Sequence, residues 1–413
     1  MTRHPDPKHL LSCLIATLAC STSATTLADF IDDGTASLEL RNMYMNRDFR
    51  QTGGGETQKD WGQGFTLRYK SGFTEGSVGF GVDAMAQLGV KLDSGKGRSG
   101  TGVLAVDRDG TPADDYSELG LTAKARLSNS TLHLGTLQPT LPVALYNDTR
   151  LLSSTYTGGM LNSKEIQNLD FNAGRLTKAN YRDSSNQDDI GYAGADSDHF
   201  DFAGGAYAIT PQLTASYYYG DLADIYRQHF LGLVHVLPLS NSMSLRTDLR
   251  YFKSTDNGNR LAGKIDNDFF NGMLTLSSGP HKFSGALQRL SGDGNFPFLR
   301  GGDPYSVNLV TFNTFTKAET DAWQLRYDFD FAALGIPGLG FMTRYTSGKH
   351  IEQGAVRDGR EWERDSDLVY TFQDGSLKGL NIRMRNVTFR SGDGLKTDIN
   401  ENRLIVGYTL PLW

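Results

Sequence analysis

The final segment of the chain, 402–413, alternates between apolar and polar side chains with a period of two. Leu404, Val406 and Tyr408 share one face, whereas Arg403 lies on the other. Successive side chains of a β-strand point to opposite sides, so the alternation predicts a strand that is apolar on one side only. Such a terminal strand occurs in soluble sandwiches and in transmembrane barrels, and recurrence of the pattern along the whole chain is typical of the barrel.

The same alternation recurs from near Ala36 onwards in segments of about ten residues, which turn residues separate. In the segment 323–331, aromatic and aliphatic side chains face one way, while Gln324, Arg326 and Asp328 face the other. A soluble sandwich, propeller or β-helix would also alternate, but it has little need for basic residues to recur opposite the aromatics. With about 20 residues for each strand and its connection, we predict an all-β fold, a transmembrane antiparallel β-barrel of about 18 strands, with 16 as the alternative.

The register of the predicted strands assigns the aromatic side chains to the lipid. Amphipathic rings favour the membrane interface, and they alternate with charged side chains that would then line the lumen. A shift of one residue would exchange the two faces completely. The aromatic side chains predicted to face lipid are Tyr217, Tyr219, Trp323, Tyr327 and Tyr408.

The predicted connections alternate between short and long, as in outer-membrane barrels, where periplasmic turns are short and outer loops are longer. One strand breaks the pattern: Ile382 and Met384 face opposite to Val387 and Phe389 in any straight strand, which predicts a bulge near Asn386. The short connections are 128–130, 278–280, 336–338 and 375–376, and the long ones are 93–115, 138–195, 291–305 and 347–364.

The N-terminal segment, residues 1–28, has the three-part layout of a secretory signal peptide. Basic residues precede an apolar run, 10–19, and small residues follow it up to Ala28. We therefore predict that residues 29–413 form a single barrel domain outside the cytoplasm. The apolar run is too short to span a bilayer, and with a mean hydropathy of −0.40 no later segment offers about 20 apolar residues in a row, which excludes a helical membrane protein.

The amino-acid composition supports this fold class. The chain has 47 Gly, 18 Tyr and 22 Phe, and both of its cysteines, Cys13 and Cys20, lie in the predicted signal peptide. A secreted chain without a disulfide and with these residues fits a large all-β architecture that is held by its hydrogen-bond ladder. The formal net charge of −6 mixes loops and strands, so the sign of the strand faces is the more informative quantity.

Three groups of motifs span essentially the whole chain after the signal peptide. They are 134–138, 142–143, 147–152, 155–158 and 163–166, then 302–305, 307–308, 315–316 and 320–331, and finally 362–365, 377–380, 383, 385–386 and 398–403. In their residues and their order these motifs resemble those of the OprD family of outer-membrane channels. One position departs from the family: Ser153 stands where Pro commonly follows Arg-Leu-Leu.

The resemblance implies a narrow pore with a ladder of basic residues that guides carboxylate groups. Fixed charges replace part of the hydration shell that a solute loses in a narrow channel. Arg suits this role because its planar fork binds a carboxylate through two hydrogen bonds. An ion pair with a neighbouring lumenal acid, such as Glu39, Asp83, Asp248 or Asp328, is the alternative for any single member. The predicted ladder comprises Arg68, Lys70, Lys124, Arg126, Arg246, Arg250, Lys282, Arg326, Arg344, Arg383, Arg385 and Arg403.

The resemblance also implies constriction loops that fold inward into the barrel. The motif matches place Thr149 and Arg150 on one side of the constriction and Asp303 and Tyr305 on the other. If Arg150 and Asp303 face each other, they set a transverse field that orients a carboxylate or dipolar solute. The alternative is that Asp303 merely starts a turn before Pro304, which is a common use of Asp.

These observations predict an outer-membrane porin of a Gram-negative bacterium that passes small organic acids by facilitated diffusion, without turnover and without a cofactor. The alternatives are a channel of the same family for basic amino acids or peptides and, in a different class, a barrel enzyme or adhesin with a plugged lumen. The histidines of the chain show no catalytic spacing, and no metal-ligand cluster, phosphate loop or nucleic-acid motif occurs. A Ca²⁺ ion at loop acids 188–189 or 196–198 is left open.

The expected partners follow from the same interpretation. Lipid and lipopolysaccharide of the outer membrane would contact the apolar face, and small carboxylates would occupy the lumen. The C-terminal strand ends in an aromatic residue, Trp413, which predicts recognition by the barrel-assembly machinery. The expected oligomeric state is a monomer or a weak trimer.

Overall fold

Eighteen antiparallel strands form one closed sheet in the structure, a computed structural model that describes residues 33–50, 57–392, 394–395 and 398–413. The predicted signal peptide, 1–28, lies outside the described residues. The barrel strands are β1 (Thr35–Phe49), β2 (Gln58–Lys70), β3 (Val78–Asp93), β4 (Asp115–Leu127), β5 (Ser130–Leu137), β6 (Thr155–Ser163), β7 (Leu169–Asn180), β8 (Phe200–Thr210), β9 (Leu213–Leu222), β10 (Tyr226–Ser240), β11 (Met243–Asp256), β12 (Asp266–Ser278), β13 (His281–Asp293), β14 (Asp321–Asp330), β15 (Leu339–Gln353), β16 (Val356–Thr371), β17 (Asn381–Ser391) and β18 (Ile399–Pro411).

The barrel closes where its first and last strands pair. The β1–β18 register runs from Ser37 opposite Pro411 to Phe49 opposite Ile399. The sheet contains two further short strands, Gln187–Tyr192 and Ala195–Ser197, which form a hairpin that continues from the end of β7. The prediction of 18 strands, rather than 16, is therefore confirmed.

The connections at the two ends of the barrel differ in length, as expected. At one end lie long loops such as 94–114, 138–154, 181–199 and 294–320, which we call the loop end. At the other, the turn end, several connections have only two residues, for example 279–280. The turn end also carries two short 3₁₀ helices, Phe331–Leu334 and Gly375–Leu377, and the loop 138–154 contains the two-residue strands Thr140–Leu141 and Ala144–Leu145. No helix in the described part of the chain is long and apolar enough to cross a membrane.

Two of the predicted long loops are wrong. The stretch 138–195 contains the barrel strands β6 and β7, whose lumenal face carries the buried Tyr156 and Leu176 and whose outer face carries the charged Arg175, so neither face is consistently polar or apolar. In the stretch 347–364, β15 and β16 stay paired up to Gln353 opposite Val356, with only two residues at the tip. Their outer face becomes polar there, so the apolar alternation is lost although the hydrogen bonding continues.

The outer face of the barrel is the predicted apolar face. On β14, Trp323 and Leu325 are 41% and 60% exposed, whereas Gln324 between them is 2% exposed because it points inward. The five aromatic side chains predicted to face lipid all lie on this outer face, since the pairing of β14 and of its neighbours is regular there. The predicted register is therefore confirmed.

The bulge predicted near Asn386 is wrong, because β17 pairs with both of its neighbours without a register shift. Val387 and Phe389 are instead fully buried inside the barrel, where the Phe389 ring lies 5.1 Å from that of Phe312 in the loop 294–320. The lumenal face of β17 is thus polar near the turn end and apolar near the loop end. The change of face along this strand reflects a change in what fills the lumen.

A hydrophobic core occupies the lumen near the loop end. It includes Phe230, Phe252 and Phe269 of the wall and Phe296 of the loop 294–320. The ring of Phe296 lies 4.4 Å from that of Phe269 and 4.9 Å from that of Phe252. This core fixes the loop 294–320 inside the barrel.

Candidate functional site

Two loops fold inward and narrow the passage through the barrel, the loops 138–154 and 294–320. They meet through an isolated β-bridge between Tyr146 and Gly302 and through a hydrogen bond of 2.7 Å from Asn147 Nδ2 to Asp303. Inward-facing wall side chains also bond to the loop 294–320. Gln288 donates to the carbonyl of Phe315 (2.6 Å), Gln324 to the side chain of Asn308 (2.9 Å), and Arg403 to the carbonyl of Thr311 (3.2 Å).

The loop 138–154 is held by a buried amide on β3. Gln87 accepts hydrogen bonds from the backbone N–H and the hydroxyl of Ser153, at 3.1 and 3.0 Å, and donates to its carbonyl at 3.0 Å. A proline at this position has no N–H and could not make the first of these bonds. The departure from the family motif at Ser153 therefore serves a specific contact in this chain.

A cavity of about 530 Å³ lies beside the loop 138–154 and is strongly basic. A second cavity, of about 600 Å³, continues from it to the turn end. Arg383 and Arg385 line both cavities, so the two form one basic path. The first is lined by Arg41, Arg150 and Arg403 in addition, against the carboxylates of Glu39 and Asp148, and the second by Lys282, Arg326 and Arg344, against those of Asp328, Asp330 and Asp367.

Seven of the twelve predicted ladder residues form ion pairs with carboxylates. The Arg385 guanidinium binds Asp367 through two hydrogen bonds of 2.6 and 2.5 Å, and these groups neutralise each other's charge. The other pairs are Lys124 with Asp83, Arg246 and Arg250 with Asp248, Arg326 with Asp328, Arg344 with Asp365, and Arg403 with Glu401. These seven residues therefore form the ion pairs with lumenal acids that were the alternative to a ladder of free cations.

Arg383 differs from its paired neighbours. Within the described residues it has no ion-pair partner, and its Nε atom is buried without a hydrogen bond. It lies where the two basic cavities join, half-buried in the wall. The other ladder members without an ion pair in the described part are Arg68, which donates to Gln138, Arg126, which lies over the Phe73 ring, and Lys70 and Lys282.

Arg150 and Thr149 line the first cavity, as expected for constriction residues. Arg150 is 8% exposed, and it donates from Nε to the carbonyl of Thr101 (3.0 Å) and from Nη1 to that of Thr149 (2.9 Å). Its bonds go to uncharged oxygens, and within the described residues it makes no ion pair with a carboxylate. Arg150 therefore supplies positive charge to the narrow part of the passage.

Asp303 and Tyr305 lie away from this cavity. The Asp303 carboxylate accepts from Asn147, and burial raises its pKa to about 6 even though the guanidinium groups of Arg182 and Arg150 lower it. The Tyr305 ring packs 3.9 Å from the guanidinium of Arg250 on the wall. Neither residue is among those that line the first cavity, and within the described residues Asp303 makes no ion pair with Arg150, although the Arg150 charge is near enough to lower its pKa.

The acidic side of the passage is built from other residues. A third cavity, of about 600 Å³, is lined by Glu39, Asp83 and Asp148 together with Arg68 and Lys70. Glu39 and Asp148 also line the first cavity, where both pair with Arg41. The carboxylates that meet the basic residues of the passage are therefore these and not Asp303.

Sequence reasoning missed two residues at the centre of the site, Arg41 and Asp148. Arg41 Nη1 lies 2.7 Å from the Asp148 carboxylate and 2.7 Å from the carbonyl of Arg150, while Nη2 lies 2.6 Å from Glu39. The alternation of β1 could have identified Arg41, because it lies two residues after the lumenal Glu39. Asp148 precedes Thr149 in the constriction motif and could have been included with it.

Two of the four loop acids proposed as a possible Ca²⁺ site are engaged with cations. Asp189 lies 2.5 Å from Lys178 Nζ, and Asp196 pairs with Arg300. In the described part of the chain no group of three or more His, Cys, Asp and Glu side chains is arranged to hold a metal ion.

Comparison with known proteins gives a consistent result. The family described as outer membrane porin, OprD family, matches residues 28–412. Porin D of Pseudomonas aeruginosa is 38% identical over 411 residues, which cover 93% of this chain and 92% of that protein. Two crystal structures from the same organism cover 93% of this chain and are covered completely: OccK9 (OpdG), with 43% identity and a TM-score of 0.91, and OpdK with vanillate, with 36% identity and a TM-score of 0.88.

Proposed function

Because the chain belongs to the OprD family of outer-membrane porins, we propose that it is a channel selective for small carboxylates, which pass by facilitated diffusion along the basic wall of the lumen. As a member of this family it is a channel of the Gram-negative outer membrane and not an enzyme. The alternative of a barrel enzyme or adhesin with a plugged lumen is therefore set aside. Recognition of the C-terminal strand by the barrel-assembly machinery and a monomeric or weakly trimeric state stay predictions.

The observation that carries the carboxylate proposal is the state of Arg383. Its guanidinium lies at the junction of two basic cavities without an ion-pair partner in the described residues, so it is available to a passing anion. An arginine fork in a partly dehydrated site binds a carboxylate more strongly than in water. Arg150 also lines the first cavity and offers a second cation that makes no ion pair within the described residues. The vanillate in OpdK, a carboxylate, supports the same class of solute for this chain.

The test compares Arg383→Gln with a charge-neutral double variant, Arg385→Gln/Asp367→Asn, in planar bilayers. We expect Arg383→Gln to lower the anion preference severalfold, measured by reversal potential, and to lower carboxylate uptake. The effect should be largest at low salt, because the screening length is about 10 Å at 0.1 M and about 3 Å at 1 M ionic strength. Arg383→Lys should restore only part of the uptake, since a point charge lacks the fork.

The double variant removes a neighbouring ion pair without changing the net charge, so its reversal potential should equal that of the wild type. Arg150→Gln should lower the anion preference more than Arg383→Gln does, because Arg150 lies at the narrower, drier point. Unchanged ion preference in Arg383→Gln at low salt would refute the role of the basic wall and leave a non-selective pore.

A channel for basic amino acids is the second candidate, and the third cavity favours it. Glu39, Asp83 and Asp148 could take the cationic end of such a solute while Arg383 takes its carboxylate. Uptake of lysine or arginine that exceeds uptake of aromatic and aliphatic acids of similar size would support this candidate over the first.

A further inference from the structure

A groove of about 540 Å³ lies on the outer, membrane-facing surface of the barrel at the loop end of β14–β17. Its floor is an aromatic row: the Trp323 ring lies 5.5 Å from that of Tyr345, which stacks at 5.4 Å on that of Trp362. Aromatic rings of this kind mark the boundary between lipid and water in outer-membrane barrels. The groove therefore lies at the level of the headgroups of the outer leaflet, since the loop end of such barrels faces outward.

Among the described residues, the groove carries basic side chains in excess of carboxylates. Lys349, Arg360 and Arg390 line it. The described carboxylates nearest to Arg360 and Arg390, those of Asp358 and Asp398, are both 4.0 Å away, at the outer limit of an ion pair. Lys349 has no ion pair within the described residues. Positive charge is thus weakly compensated at this point of the rim.

The other two described acids at the groove, Glu361 and Asp321, have other partners. Glu361 points into the barrel, is 1% exposed and lies 2.5 Å from Lys317. Asp321, opposite Lys349 in the sheet, contacts His350 at 3.2 Å and Arg289 at 3.6 Å. A fourth cation, Arg364, follows Trp362 by two residues on the outer face of β16. It donates to the uncharged side chains of Asn386 and Thr388.

The opposite arc of the rim, at the loop end of β7–β12, is different. There each outward-facing cation has a close carboxylate. Arg175 lies 2.6 Å from Asp201, and Lys253 lies 2.8 Å from Asp266 and 3.0 Å from Asp268. Arg227 lies 3.2 Å from Asp221. The excess of cations is therefore a local property of the β14–β17 groove and not a general feature of the rim.

We propose that this groove binds the phosphorylated headgroup of a lipid A molecule of the outer leaflet. Lys349 and Arg360 would bind its phosphates, for which a guanidinium group is well suited because it donates two hydrogen bonds at once. Arg390, whose Nη atoms already donate to the carbonyls of Phe389 and Ile399 and to Asn400, would contribute its charge. The aromatic row and the exposed Leu325 and Leu368 below it would contact the acyl chains. The proposal concerns the outer surface and is independent of the solute that the lumen selects.

The test measures binding of defined lipids to the full-length barrel in nanodiscs, by native mass spectrometry or thermophoresis. Diphosphoryl lipid A should bind at least tenfold more tightly than dephosphorylated lipid A. The triple variant K349Q/R360Q/R390Q should bind diphosphoryl lipid A roughly a hundredfold more weakly, since one cation near an anionic lipid surface is worth about a fivefold change. Inorganic phosphate at the same phosphate concentration should not compete, because it lacks the acyl chains.

The matched control is R175Q/R227Q/K253Q, which changes the net charge equally on the opposite arc and should bind within about twofold of the wild type. Correct folding is checked by the heat-dependent electrophoretic mobility of the barrel. The single variant R360Q, at a side chain that is 75% exposed, should still lose about fivefold and does not depend on the fold of the triple variant. Equal losses in the two triple variants, full competition by inorganic phosphate, or equal binding of dephosphorylated lipid A would each overturn the proposal.

Discussion

One amide hydrogen distinguishes Ser153 from the proline expected at its position. The N–H of Ser153 is used by Gln87, a buried side chain whose oxygen and nitrogen both bond to this residue. Neither residue is charged, and 66 positions separate them in the chain. Contacts of this type depend on where a loop re-enters the barrel, so the sequence motif identified the loop but not its anchor.

Asp303 gives the constriction a dependence on pH. Its pKa is raised by burial from 3.8 to about 6. The folded state therefore binds this proton more tightly than the unfolded state, and the resulting stabilisation is complete below pH 3.8 and is lost as the pH rises through about 6. Lowering the pH from 7 to 5 removes a negative charge close to Arg150, so we expect the anion preference of the open channel to increase.

The measurement is a pH series of reversal potentials for the wild type and Asp303→Asn. The wild type should show a step near pH 6, and the variant should show the higher anion preference throughout without that step. A step that persists in Asp303→Asn would contradict this assignment and point to Asp183, whose pKa burial also raises.

The ladder residues show how far single positions can be predicted. Parity along each strand identified the inward-facing cations correctly, because side-chain direction depends only on the strand. Their charge state depends on partners. The pair of Arg326 and Asp328 is visible in the sequence as neighbours two apart, whereas the pair of Arg385 and Asp367 requires the register of β16 against β17.

At the scale of elements, the loop 294–320 is held by acidic side chains of β16. The Glu363 carboxylate accepts the backbone N–H groups of Phe312 and Asn313, both at 2.8 Å. Glu361 accepts from the Asn313 side chain at 2.6 Å and pairs with Lys317. Two adjacent lumenal positions of one strand thus fix the segment 312–317 across the barrel.

Glu363→Gln should loosen this segment, because the two N–H groups bond to two different carboxyl oxygens and an amide has a single acceptor oxygen. We expect faster hydrogen exchange at 309–316 and larger fluctuations of the single-channel current, with the barrel strands still protected. The control is Asp374→Asn in the exposed turn 372–380, where the side chain makes no capping bond. Protection of 309–316 equal to that of the wild type would show that the loop is held by its other contacts alone.

The strands that were predicted well are those in which each face has a single kind of environment along its whole length. Strand β14 faces lipid on one side and water or polar loop atoms on the other, so its alternation is clear. Strands β6, β7 and β17 face the hydrophobic core inside the barrel for part of their length. There the inner face is apolar and the outer face carries polar side chains such as Arg175 and Arg390, so the apolar side changes along the strand. This is why two strands were assigned to a loop and a straight strand was given a bulge.

At the scale of the molecule, the strand number followed from arithmetic on length, since each strand and turn of a barrel uses a similar number of residues. The inner core near the loop end could not be predicted in the same way. Its members, such as Phe252 and Phe296, come from wall and loop segments that only the closed fold brings together. The lipid-binding groove likewise combines four strands and depends on their relative register.

The pairing of β1 with β18 brings the two ends of the barrel domain together, so the order of its strands along the chain can be permuted. Leu412 N donates to Ala36 O at 2.8 Å and Ala36 N donates to Trp413 O at 3.2 Å, so residues 33 and 413 can be joined by a short linker. The hydrogen-bonded ring then has no beginning, and any turn can serve as the break point. A circular permutant that starts at Pro280 and ends at Gly279 would keep all of the strand pairings.

We expect this permutant to refold in detergent with the heat-dependent mobility and the reversal potential of the wild type, because neither the ring nor the inward loops are cut. A second permutant, opened between residues 311 and 312, should form the same ring but lose ion preference, since the cut falls in the segment held by Glu363. Failure of the first permutant to refold would mean that covalent order, and not only pairing, directs closure. If both permutants form the closed barrel, the position of the chain ends does not determine whether the strands pair.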